Sequence, residues 1–117
     1  MRRRSTLDLL AANQRASMEM RDAGLEAARL AIQTLRAEEE VGAQRGALEW
    51  LDRLARLVRA GVGAGTRSPA DTMRIDLESD AAASALESAL LDLRIARIDL
   101  GEADRRCRRR VGRSAPG

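Results

Sequence analysis

At 117 residues the chain is long enough for one small domain, and a 44% hydrophobic fraction sets outright disorder aside. Its apolar residues include 22 Ala and 16 Leu with Trp50 as the single aromatic; with few β-branched residues and two prolines, this composition excludes a mixed α/β core and points to an all-α protein. All 21 basic residues are Arg and they are unevenly placed: residues 71–104 hold three basic and nine acidic groups, whereas 105–117 hold six basic groups and no acidic one.

The chain opens on Arg2, Arg3 and Arg4, followed by LDLLAA and then NQR. This apolar stretch is too short and too polar for a signal peptide, and no later run approaches the length of a membrane span. Cys107 stands alone and cannot form an internal disulfide, so the expected setting is cytoplasmic.

Ser5 followed by Asp8 resembles a capping box, so a first helix is expected from about residue 6. Along it, Ala11, Met18, Leu25 and Ile32 occupy one heptad position and Leu7, Gln14, Arg21, Ala28 and Leu35 the complementary one. This pattern reads as a coiled-coil seam with two polar interruptions. Leu9, Ala16, Met20, Ala23 and Ala27 lie on a different side, away from the wedge of Asp8, Arg15, Glu19, Asp22, Glu26 and Arg29. A helix that is apolar on two sides expects two neighbours, which predicts self-association as a homo-oligomer or a protein partner.

The stretch EEEVGAQRG, residues 38–46, puts acidic residues and the glycines Gly42 and Gly46 where that heptad needs apolar ones. Periodicity resumes in another phase at Ala47, Leu51, Leu54 and Val58. Two architectures follow: one helix over about 6–60 with a phase slip, which two separated glycines favour, or a bend at Gly42 to Gly46 that makes three helices. The loop at 61–68 is plain, with three glycines before Ser68 at an N-cap, Pro69 at the first helical position and Asp71 at the third.

A last helix is predicted over about 69–111, with a basic tail at 112–117. Leu86, Leu93, Leu100 and Cys107 repeat every seven residues, with Ala82, Ala89, Ala96 and Ala103 between them, a narrow seam for close helix packing; Leu90, Leu91, Ile95 and Ile98 widen it. The whole chain thus reads as a single helical domain, a long antiparallel helical hairpin or coiled-coil bundle. In the hairpin the two arginine clusters would meet at its open end. In architecture and charge this outline is similar to the short helical-hairpin stalk and chaperone proteins of type III secretion and flagellar export systems.

Functional chemistry is sparse. With no His and no Tyr, and with acidic residues set among compensating arginines, nothing marks a catalytic pair, and no enzymatic activity, metal or cofactor is expected. GVGAGT lacks the lysine and the preceding strand of a phosphate-binding loop. The triplet Glu38, Glu39 and Glu40 points around a helix and reads as a solvated face, and Cys107 as a small residue of the seam. Trp50 is either a boundary residue covered by a neighbouring helix or an interface anchor, with Leu48 and Leu57 as companions and Leu9 and Met20 as further partner-binding candidates.

The arginines carry the alternative. Glu102 to Arg106 and Asp104 to Arg108 are favourable i, i+4 pairs, which leaves Arg105, Arg109, Arg110 and Arg113, with Arg2, Arg3 and Arg4, as candidates for contacting phosphates. No aromatic interleaving, zinc-finger spacing or helix-turn-helix accompanies them. A non-enzymatic protein-protein interaction module therefore leads, with a nucleic-acid-binding accessory protein as the alternative.

Overall fold

The computed structural model describes residues 2–114, with side chains from 3 to 112, and consists of two α-helices: α1, Arg2–Gly63, and α2, Pro69–Ser114. The fold is all-α, a helical hairpin. α1 begins at Arg2, so Ser5 lies inside the helix rather than at its cap, and it passes Gly42 and Gly46 without a break, which removes the three-helix alternative. Good helix formers on both sides carry the helix over two glycines that each cost about 1 kcal/mol relative to Ala.

The turn is built by backbone hydrogen bonds. Gly65 adopts φ +76°, a left-handed conformation that glycine takes without a Cβ penalty. This lets the Thr66 amide donate to the Gly61 carbonyl at 2.9 Å and the Gly65 amide to the Val62 carbonyl at 3.1 Å, the pair of bonds that closes a Schellman end. Gly61 also makes room for the loop, since a Cβ there would stand 3.0 Å from the Arg67 side chain. Ser68 then caps α2: its Oγ accepts from the Ala70 amide at 3.3 Å, and Asp71 sits in the first turn.

Packing divides the chain into two units, Leu35–Ile95 and residues 1–34 with 96–117. Within Leu35–Ile95 the helices run antiparallel and share a filled seam. Ala37, Val41, Gln44, Leu48, Leu51, Ala55, Val58 and Val62 follow alternating steps of four and three residues, and all are buried or half-buried. Val41 packs with Ala89 and Leu93, and nearer the turn Ala55 and Val58 pack with Ile75. The alanines let the two backbones approach closely, and such seams derive their strength from contact rather than from bulk. Gln44 is the polar member and satisfies itself by donating from Nε2 to Glu40 at 2.8 Å. Arg59 and Asp76 add an exposed ion pair at 2.9 Å.

In the other unit the same spacing recurs at Ala23, Ala27, Leu30 and Thr34 on α1, facing Ala96, Leu100, Ala103 and Cys107 on α2. Thr34 is buried in the seam; its hydroxyl donates to the Leu30 carbonyl at 2.8 Å and lies 3.4 Å from that of Ala96. The alternating Leu and Ala column of α2 read from the sequence is the one that packs, whereas Leu90, Leu91, Ile95 and Ile98, expected to widen it, are exposed because they turn away from α1. On α1 the side is exchanged: the column through Leu9, Met20, Ala23 and Ala27 leads into the seam, and the heptad of Leu7, Met18, Leu25 and Ile32 is exposed.

Candidate interaction face

Why α1 keeps a second apolar side follows from its geometry. The seam and the heptad through Met18, Leu25 and Ile32 lie roughly 150° apart around the helix at about 100° per residue, so one neighbouring helix cannot cover both. α2 takes the column of small residues, and the larger side chains remain in water: Leu25 is 64% exposed, Met18 65% and Ile32 51%. Gln14 and Arg21 interrupt this column and Ala11 and Ala28 complete it.

α2 also ends before α1 does. The polar contacts between the helices near its end are an Arg106 to Glu26 ion pair at 3.7 Å and a hydrogen bond from Arg110 to the Glu19 carbonyl at 2.9 Å. On the amino-terminal side of Glu19, every described residue of α1 is exposed, including Leu9, which stands on the seam column, and Leu10. Helical turns that bury no apolar side against a neighbour gain little from packing.

The partner-binding candidates separate. Trp50, 58% exposed, and Leu57 stand seven residues apart on one side of α1, uncovered by α2, whereas Leu48 is half-buried on the seam column and does not join them. Leu9 and Met20 stand on the continuation of the seam toward the amino terminus and are exposed there. Met18, Leu25 and Ile32 were read from their spacing as a coiled-coil seam, and they stand exposed, away from the side that α2 covers.

Among the described residues the arginine clusters do not meet. Arg105 to Arg110 lie beside residues 19–26 of α1, whereas Arg4 is 15 residues before Glu19, roughly 22 Å along a helix. Three arginines of the α2 cluster are engaged: Arg106 with Glu26, Arg108 with Asp104 at 3.2 Å, and Arg110 with Glu19. Arg106 thus reaches across to α1 rather than back to Glu102. Arg105 and Arg109 are exposed, as are Arg3 and Arg4, while the side chains of Arg2 and Arg113 lie outside the described residues. A shallow groove at this end is lined by three carboxylates, Glu19, Asp22 and Glu26, against two guanidinium groups, Arg106 and Arg110.

Among the described residues no cluster of three or more metal-ligating side chains occurs, and no helix is long and apolar enough to cross a membrane. No protein-family model matches the chain, and comparisons with curated proteins and with solved structures return no match.

Proposed function

We propose that the chain is a non-enzymatic helical interaction module whose two sides of α1 have different tasks. The seam side closes the hairpin on itself, and the side through Met18, Leu25 and Ile32 docks a helix of another molecule. The observation that carries this reading is the uncovered heptad beside a seam that α2 already fills. Trp50 and Leu57 offer a smaller secondary contact in Leu35–Ile95. A reducing, cytoplasmic setting accords with the unpaired Cys107.

The test is the solution mass by light scattering over a concentration series, for the wild-type protein and for a Leu25→Glu/Ile32→Glu variant. The wild type is expected above the 12.8 kDa of one chain, and the variant at that mass. A variant that keeps the wild-type mass contradicts the assignment of this face.

A further inference from the structure

We infer that the molecule docked on the outer side of α1 is a second copy of this chain, antiparallel and in one register, which pairs Asp8 with Arg29 and Arg15 with Asp22 across the two copies. The inference rests on the proposed role of that side and adds the partner and its alignment. Asp8, Arg15, Asp22 and Arg29 recur every seven residues, alternate in sign, and form one column flanking the exposed heptad, with Arg36 next along it and beyond the paired stretch of this register. All four are exposed, and among the described residues none forms an ion pair within its own chain.

In an antiparallel pair of helices, a flanking column faces its own copy, so its charge order must be complementary to itself when reversed. Reversing Asp, Arg, Asp, Arg gives Arg, Asp, Arg, Asp, and every pair is attractive. Sliding one copy by a heptad in one direction sets Asp8 against Asp22 and Arg15 against Arg15; in the other, Arg15 faces Arg29 and Asp22 faces Asp22. A parallel pair fails differently: it turns the charged column toward Leu10, Ser17, Gly24 and Ala31, so that none of its four charges finds an opposite one. Like charges placed together disfavour the two shifted registers, and lost pairing the parallel one.

The apolar residues fit the same register. Ile32 meets Leu7 of the second copy, Leu25 meets Gln14, Met18 meets Arg21 and Ala11 meets Ala28. Arg21 then lies along a methionine, with its aliphatic stem covered and its guanidinium at the rim. The other flanking column brings Ser17 opposite Gly24, and a Cβ built on Gly24 meets nothing within 4 Å in its own chain. The uncovered turns before Glu19 in each copy come to lie along the part of the other copy's α1 that already carries α2 on its far side.

A charge swap tests the register. In the variant D8R/D22R the four paired positions are all arginine, and in R15D/R29D they are all aspartate. The substitutions are on exposed positions, and circular dichroism checks that helicity is retained. The wild type is expected to be a dimer by sedimentation equilibrium, each variant alone to self-associate at least about tenfold more weakly, and an equimolar mixture to recover a heterodimer. Independently of those variants, in a Cys107→Ser background, a chain with Ser17→Cys mixed with one carrying Gly24→Cys should crosslink with oxidised glutathione in preference to either chain alone. A monomeric wild type overturns the inference together with self-association. A wild-type dimer whose charge variants still dimerise unaided, or whose mixture gains nothing, overturns the register while leaving the docking face in place.

Discussion

Leu35–Ile95 and the unit formed by residues 1–34 with 96–117 use the same three-and-four spacing to opposite effect. In Leu35–Ile95 the spacing along α1 is spent on α2: Val41, Ala55 and Val58 are each 5% exposed or less, and α1 keeps only scattered apolar residues outside the seam, Trp50 and Leu57 among them. In the other unit α1 carries two such columns, one of small residues under α2 and one of Leu, Met and Ile in water. A heptad therefore states that a helix has a neighbour without stating which one. The neighbour's length and the size of the side chains decide which column stays intramolecular.

The largest expected effect separates the two units by the same kind of truncation. Leu93→Ala removes a buried side chain from the Val41 and Ala89 cluster and should cost about 2 to 4 kcal/mol in denaturant unfolding of the dilute protein. Leu25→Ala, on an exposed side chain, should change that unfolding by less than about 0.5 kcal/mol and instead weaken association. Equal losses of monomer stability at the two sites would erase the distinction drawn between them.

Next in size is the turn. Gly65→Ala forces a Cβ onto a residue at φ +76° and should lower stability by about 1 kcal/mol, read as a drop in the unfolding midpoint at unchanged slope. Gly42→Ala and Gly46→Ala act the other way: nothing lies within 4 Å of a Cβ at either position, so each should raise stability by about 0.5 to 1 kcal/mol. A loss at either glycine would show that something packs on that side of Leu35–Ile95. The smallest change is expected from Arg59→Ala, whose ion pair with Asp76 is exposed and screened by solvent; unfolding should shift by about 0.5 kcal/mol or less, and less still at high salt.

Much of the fold was legible because local signals agreed. Ser68, Pro69 and Asp71 placed the start of α2, and the alternation of Leu and Ala from Ala82 to Cys107 identified its packing side, since those residues form one continuous column. α1 was harder because hydrophobic strength pointed to the wrong column. Ala23, Ala27, Thr34, Ala37 and Gln44 look weak beside Met18, Leu25 and Ile32, yet small side chains are what allow α2 to come close. The same error turned Gly42 and Gly46 into an interruption, although both stand off the seam, which passes through Ala37, Val41, Gln44 and Leu48 undisturbed. Of the candidate contact residues, Leu48 was grouped with Trp50 by proximity in sequence, while the helix turns it into the seam. The engagement of Arg106 and Arg110 with α1 depends on where α2 ends relative to Glu19 and Glu26, which no local pattern encodes.

The proposal that the outer side of α1 before residue 35 docks a second molecule, while the seam of Leu35–Ile95 is intramolecular, is tested most directly by amide hydrogen exchange, resolved along the chain, in dilute and in concentrated solution. Residues 41–58 and 75–93 should be protected at both concentrations, because their seam is intramolecular. Residues 5–19 of α1 should exchange freely when dilute and become protected as concentration rises. Protection of 5–19 that does not depend on concentration, or its absence at every concentration, would contradict the assignment of this side of α1 to a second molecule of the chain.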